Sequence, residues 1–258
     1  MSAGPAGTGA PLEIEGLTTG YGDVAVVREV TMAFPTGRMS AIIGSNGAGK
    51  STVIKAAAGL LPVWSGRVRV GGADVTREAA HLRLGRGMAY VPQGRIVIPE
   101  MSVRDNLELG AHILGGDRAR IDRAIERLVA LFPILGQRLR QQAGTMSGGE
   151  QQMLAIARAL ITDPTTIILD EPSLGLSPKL VDVVFEKLTE ISAAGLTVVM
   201  VEQKASRALA VAHRGYVMHG GRVAYAGEAA ALLANENVKR LFLGEVPEEL
   251  ERAAETAA

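Results

Sequence analysis

The sequence predicts an α/β core that carries a helical insertion. Three observations lead there. Residues Gly44 to Thr52 read GSNGAGKST, with an apolar run, Met39 to Ile43, before them and helical character, Val53 to Leu60, after them. Further short apolar runs, Thr166 to Leu169 and Leu196 to Val201, have the length and composition of strands buried on both faces of a sheet. Between the first strand-like segments and these later ones the apolar residues change to a helical period. Strands, then a helical block, then strands again is the pattern of an α/β core with an inserted helical unit.

The opening MSAGPAGTGAP has neither a basic start nor an apolar core. It is no secretory signal, and residues 1–11 are expected to be a short disordered leader. Leu12 to Thr18 and Val24 to Phe34 alternate as strands do, with Gly20-Tyr21-Gly22-Asp23 as the turn between them. The Met39 to Ile43 strand, the Gly-rich loop and the helix follow. Arg67 to Val70 reads as a short strand stopped at Gly71-Gly72, and Gly87 to Val91 as another stopped by Pro92. Ile121, Ile125, Leu128, Phe132 and Leu135 then recur at three- and four-residue steps, one face of a helix. Residues from about Pro99 to Arg158 are therefore expected to be mostly helical. Pro178 to Ile191 reads as a helix with Pro in its first turn. His213 to Met218 and Arg222 to Ala226 close the pattern as strands. From Glu245 to 258 there are five Glu against one Arg, the composition of a solvated helical or frayed tail. The folded unit is expected to span 12–244.

Composition narrows the function. The chain has 258 residues, 47% hydrophobic and only 3% aromatic, so the core must be built from Ala, Val, Leu and Ile. Twenty-seven basic residues balance 27 acidic ones, which argues against a nucleic-acid binder that draws affinity from phosphate neutralisation. Cys is absent, which excludes disulfides and thiolate metal sites. His81, His112, His213 and His219 are scattered and make no metal-site spacing. No stretch approaches the ~18 uninterrupted apolar residues of a membrane helix, so membrane contact is expected to come through a partner.

GSNGAGKST fits the phosphate-loop pattern G-x-x-x-x-G-K-[ST], with Gly44, Gly49, Lys50 and Ser51 in the fixed places. A triphosphate needs several backbone N–H groups aimed at one spot. Gly44, Gly47 and Gly49 let the loop bend that tightly, and Ser45, Asn46, Ala48 and Thr52 complete the cradle. The helix that begins there adds its positive dipole end. Lys50 suits the β- and γ-phosphates, and the Ser51 hydroxyl suits a magnesium ion.

A second constellation ends the strand Thr166-Ile167-Ile168-Leu169 with Asp170-Glu171. Such a strand delivers its last residues to the carboxyl edge of the sheet, where ligands collect. Asp170 there can hold magnesium, directly or through water. Glu171 can orient, or take a proton from, a water attacking the γ-phosphate. A third is Ser147-Gly148-Gly149-Glu150-Gln151, a Ser cap and a Gly pair that open a helix through Leu160 and let backbone approach an anion.

Phosphate loop, Ser-Gly-Gly-Glu-Gln helix start and Asp-Glu strand, in that order, resemble an ABC-type ATPase subunit. The resemblance covers Leu12 to Gly244. It implies a P-loop NTPase fold, a RecA-like core with an N-terminal antiparallel β region and an inserted α-helical subdomain. It also implies ATP and Mg2+ as cofactors, two subunits facing head to tail, and ATP held between the phosphate loop of one and the Ser147-Gly148-Gly149 segment of the other. Hydrolysis at Glu171, assisted by Lys50 and Gln203, would reset the pair. The resemblance further gives Tyr21 the stack on adenine, gives Gln93 the magnesium ion and the γ-phosphate, and places Gln151 at the nucleotide of the opposite subunit. Gly94 to Met101, with apolar Ile96, Val97, Ile98 and Met101, would border the groove that takes a coupling helix from transmembrane permease subunits. The alternative for that segment is a buried core strand.

RIVIPEMSV (95–103), MSGGEQQMLAIARAL (146–160), EPSLGLSP (171–178), Val201-Glu202-Gln203 and LFLG (241–244) are similar to the second ATPase subunit of branched-chain amino acid importers. That subfamily implies a peripheral place on the cytoplasmic face of the cell membrane and a second, distinct ABC ATPase subunit as partner. Two departures from the wider family favour such a heterodimer over a homodimer. Gln203 stands where most ABC ATPases carry His, and an amide bonds a phosphate oxygen but cannot carry a proton's charge. Ser177 stands where many carry an Asp. Related urea, amide or other amino acid importers, a soluble non-transport ABC ATPase, and a regulatory subunit with little turnover are the alternatives.

Overall fold

The computed structural model describes residues 12–242 and Pro247. The expected leader, the Leu243-Gly244 end of the family-like motif and the tail lie outside the described residues, Pro247 apart. Strands β1 (Leu12–Tyr21) and β2 (Val24–Phe34) pair antiparallel, from Leu12 opposite Phe34 to Tyr21 opposite Val24. The turn is thus Gly22-Asp23 alone, and Gly20 and Tyr21 belong to the strand. Gly22, at φ 55, supplies the left-handed residue that so short a turn needs, and the ladder keeps its last pairs. β3 (Met39–Gly44) runs into the phosphate loop, and α1 (Lys50–Ala57) leaves it. This helix starts three residues before the expected Val53 and ends before Leu60, because Gly59 at φ 77 cannot continue it.

β4 (Ser65–Val70) and β5 (Ala73–Asp74) add to the first sheet, whose order is β2-β1-β4-β5. After α2 (Ala80–Gly85) and β6 (Met88–Val91), the chain crosses an irregular segment to α3 (Val103–Gly110). Residues 92–101 form neither a strand nor a helix, so the buried-strand alternative for Ile96 to Ile98 is excluded. Asn106, fully buried, accepts from the Ile98 N–H at 2.8 Å and donates to the Ile98 carbonyl at 3.0 Å, which replaces the missing strand partners. α4 (Arg118–Leu131), α5 (Pro133–Gly136) and α6 (Gly148–Leu160) complete the helical block, with Ile121, Ile125, Leu128, Phe132 and Leu135 buried as their spacing predicts.

β7 (Thr166–Asp170), α7 (Pro178–Ala193), β8 (Thr197–Glu202), α8 (Ala205–Val211), β9 (Arg214–His219) and β10 (Arg222–Glu228) follow. α9 (Ala229–Ala234) and α10 (Glu236–Phe242) end the described chain. The second sheet has the order β10-β9-β3-β8-β7-β6, with β10 antiparallel and the rest parallel. Its strands are buried on both faces. Ala41, Ile43, Leu169 and Met200 meet the helices, while Ile42, Ile168, Val199 and Val201 meet the first sheet and α1. That is why these strands read as unbroken apolar runs.

Two polar devices fix the layers. The Tyr216 hydroxyl on β9 donates to the Ala33 carbonyl at 2.6 Å and accepts from the Ala33 N–H at 2.9 Å, so it joins the two sheets. Arg83, 1% exposed, donates to the carbonyls of Ala56, Ala57, Thr76 and Glu78 at 2.5–3.0 Å. It thereby adds donors at the C-terminal end of the helix that starts at the phosphate loop. No helix among the described residues is long and apolar enough to cross a membrane.

Candidate nucleotide site

Four parallel strands bring the site together. Ile43 on β3 lies level with Glu202 on β8, Asp170 on β7 with Val201, and Val91 on β6 with Leu169. The phosphate loop, Asp170-Glu171, Glu202-Gln203 and Gln93 therefore leave one carboxyl edge side by side. The loop conformation demands its glycines. Gly44, Gly47 and Gly49 have φ 156, 78 and 94, and a Cβ on Gly44 would stand 2.4 Å from the Met218 carbonyl oxygen. Ser45, Asn46 and Gly47 are exposed at the loop tip, and Ala48, Gly49 and Thr52 are buried at its base. The Lys50 Nζ donates to the carbonyls of Gly44 and Ser45, both at 2.9 Å, and so sits inside the loop. Burial lowers its pKa, against the pull of Glu171, Asp170 and Glu202.

Ser51 Oγ donates to Asp170 Oδ1 at 2.7 Å, and Tyr90 Oη donates to Oδ2 at 3.3 Å. Burial pushes the Asp170 carboxyl above its ordinary range, while these two hydroxyls pull it down. Burial, and then the Asp170 charge, hold the Tyr90 phenol firmly protonated. Glu171 Oε2 accepts from Gln93 Nε2 at 3.0 Å, and Gln203 Nε2 reaches both of its oxygens, at 2.8 and 2.9 Å. Two amides from different loops thus aim one carboxylate. Its backbone sits at φ 49, a left-handed conformation that costs a side-chained residue of order 1–3 kcal/mol. The Glu171 N–H donates to the Val201 carbonyl at 3.0 Å and holds it there.

The remaining predicted residues make no hydrogen bond to this cluster among the described residues. Tyr21 ends β1 and is 49% exposed, so its ring is free to stack. Ser147 caps α6 in a capping box with Glu150, within its own turn. Gly148 packs where a Cβ would meet the Arg95 guanidinium at 2.5 Å, and Gln151 Nε2 donates back to the Ala143 carbonyl at 3.0 Å. Ser147, Gly149 and Gln151 thus have no hydrogen bond to the phosphate loop among the described residues.

A family model described as ABC transporter matches residues 27–174. The chain belongs to the ABC transporter ATPase family. It is 38% identical over 233 residues to the high-affinity branched-chain amino acid transport ATP-binding protein BraG of Pseudomonas aeruginosa, covering 90% of this chain and 99% of that one. It is 36% identical to the probable branched-chain amino acid transport ATP-binding protein LivF of Archaeoglobus fulgidus, over 88% of this chain and 96% of that one. The lipopolysaccharide export system ATP-binding protein LptB of Escherichia coli is 34% identical, over 92% and 98%. Among solved structures, an ATP-binding cassette of an ABC transporter in its ADP conformation superposes with a TM-score of 0.83 at 27% identity, over 92% of this chain and all of that one. The protein is thus the nucleotide-binding, ATP-hydrolysing subunit of an ABC transporter.

Reading the sequence of this ABC ATPase for single residues missed three neighbours of the site. Tyr90 looked like an ordinary strand residue, and only the β6–β7 pairing puts it beside Asp170. Ser173 and Glu202, 2% and 1% exposed, bond to each other one step behind Glu171 and Gln203. The available signal was a Glu ending an apolar strand parallel to the one that ends in Asp170.

Proposed function

We propose that this subunit powers the import of branched-chain amino acids from the cytoplasmic face of the cell membrane, as half of an ATPase heterodimer bound to transmembrane permease subunits. The observation that carries the reading is the Glu171 carboxylate, aimed by Gln93 and Gln203 beside the Ser51–Asp170 pair at the mouth of the phosphate loop. The substrate class rests on the similarity to BraG and LivF.

In this reading the loop N–H groups and Lys50 hold the triphosphate, and Tyr21 stacks on the adenine. Glu171 orients a water at the γ-phosphate and takes its proton, worth about 10²–10⁴-fold for a positioned base. Gln203 and Gln93 keep that carboxylate on station. The donors suit Mg2+: Ser51 Oγ and Asp170 Oδ1 are hard oxygens 2.7 Å apart. Magnesium sites beside phosphates take one or two carboxylates, not a full protein cage. When bound there, Mg2+ would neutralise charge on the phosphate oxygens. Ser147, Gly148, Gly149 and Gln151 serve the nucleotide of the partner subunit, which fits the hydrogen bonds that Ser147 and Gln151 make within their own segment and not to this chain's loop among the described residues.

The permease site is the groove of about 330 Å³ between the core and the helical block, lined by Leu60, Leu84, Gly94, Ile96, Ala155 and Ala159 among others. Its apolar walls suit an inserted helix. The test is leucine uptake by vesicles that carry this chain with its permeases, its partner ATPase and the binding protein. Uptake that needs ATP and stops with Glu171→Gln supports the reading. Hydrolysis stimulated by urea or a short amide, and by no branched-chain amino acid, would move the substrate class. ATP hydrolysis by the chain alone at the rate of the mixture would replace the heterodimer by a homodimer.

A further inference from the structure

Glu202 is a buried carboxylate with no part in the chemistry above. It ends β8, 1% exposed, next to Gln203 in the chain. Both of its oxygens are engaged by one residue on the neighbouring loop. Ser173 N–H donates to Oε1 at 2.9 Å and Ser173 Oγ donates to Oε2 at 2.8 Å. Ser173 lies two residues past Glu171. The β7–β8 pairing ends at Asp170 opposite Val201, is continued by the Glu171 N–H on the Val201 carbonyl, and is continued again by this side-chain clamp. The two loops are thereby tied on the far side of Glu171, the residue whose left-handed backbone would otherwise relax.

We propose that Glu202 is a positioning residue for ATP hydrolysis. Through Ser173 it holds the turn that carries Glu171, and through its own backbone it keeps Gln203 in reach of the same carboxylate. The inference rests on the reading of Glu171 as the water-orienting base. A water at the γ-phosphate tolerates little misplacement, since shifts of about 1 Å can cost about 10²-fold in rate. The phosphate loop and Lys50 make no hydrogen bond to Ser173 or Glu202 among the described residues, and only the charge of Glu202 reaches Lys50. Loosening the clamp through Ser173, with that charge kept, should therefore lower kcat and leave KM alone.

The test uses the full-length chain, in whichever state hydrolyses ATP, alone or with its partner ATPase. Glu202→Gln can re-form both contacts, its carbonyl accepting from the Ser173 N–H and its amide donating to a rotated Ser173 hydroxyl. Glu202→Leu removes both acceptors, and Ser173→Ala keeps the backbone donor alone. Glu202→Leu and Ser173→Ala are each expected to lower kcat by about tenfold or more, and Ser173→Ala, which leaves the Glu202 charge in place, to keep KM and the affinity for ATP unchanged. The double variant should be no worse than the poorer single, because both break one clamp. Wild-type kcat in both of these singles, or a loss of ATP affinity in Ser173→Ala parallel to its loss of kcat, would overturn the proposal. So would multiplicative losses in the double variant. Glu171→Gln, measured alongside, separates the two readings. If it hydrolyses ATP normally, the role of Glu171 falls and this inference with it. If it is dead while Glu202→Leu and Ser173→Ala are both normal, only the clamp falls.

Discussion

Glu171 holds three hydrogen bonds on its carboxylate and a backbone at φ 49, so the fold spends stability to aim one side chain. Lys50 and Glu171 divide the labour, and their variants should differ in kind. Lys50→Ala removes charge-assisted bonds to phosphate and should weaken ATP binding by about 10–100-fold, read by fluorescent-nucleotide titration. Glu171→Gln should retain ATP affinity, lose about 10²–10⁴-fold in kcat and accumulate a closed ATP-bound dimer on size exclusion. Equal loss of affinity in both would contradict the division. Glu202 adds a pH signature. Burial raises its folded pKa, against the pull of Ser173, so the folded state favours the proton. Its contribution to stability is full below the unfolded pKa and is lost as pH rises through the folded one. Relative to wild type, the melting temperature of Glu202→Gln should therefore fall on acidification from about pH 8 to about pH 5. A flat difference would show that the carboxyl titrates alike in both states. At this scale the sequence was legible where a motif fixes spacing, as in Gly44 to Ser51 and Asp170-Glu171. It was illegible where a partner comes from a distant strand, as for Tyr90 and Ser173.

Helix α1 opens at Gly49 in a left-handed conformation with no side-chain cap. Its C-terminal end is closed by its own turn, with the Gly59 N–H on the Ala56 carbonyl at 3.0 Å and the Leu60 N–H on the Lys55 carbonyl at 2.8 Å, and Arg83, from a helix not foreseen in the sequence, adds donors to Ala56 and Ala57. Arg83→Met should lower stability by about 3 kcal/mol, since the carbonyls of Ala57, Thr76 and Glu78 lose the buried guanidinium that donates to them. A urea midpoint within error of wild type would refute that role. Long elements were readable from their periods, among them α4, α7 and the apolar strands. The short ones, α2, β5, α8, α9 and α10, span two to seven residues and show no full period. Tertiary contacts settle them. The same holds for residues 92–101, which carry an apolar composition fit for a strand and are strapped as a loop by Asn106, Arg95 on the Gly175 carbonyl at 2.7 Å, and Arg158 on the Ile96 carbonyl.

For the whole molecule, function lies in two surfaces set on a closed core. Ile96 is 50% exposed on the groove between core and helical block. Ile96→Glu should abolish co-purification with the permease subunits while ATP binding stays at the wild-type level. Retained co-purification would place that contact elsewhere. The α/β class and the insertion were legible because apolar runs and helical periods are local signals. Strand order was not, because it is a property of distant pairs. The central strand illustrates the cost. Both neighbours of β3 in the sheet, β8 and β9, come from residues 197–219. At about 5–20 residues per second, a ribosome takes roughly ten to thirty seconds to travel from the phosphate loop to that point. For that interval Met39 to Ile43 is an apolar segment with neither of its sheet partners yet made, so the stretch that will hold the nucleotide is open to wrong strand pairing during synthesis.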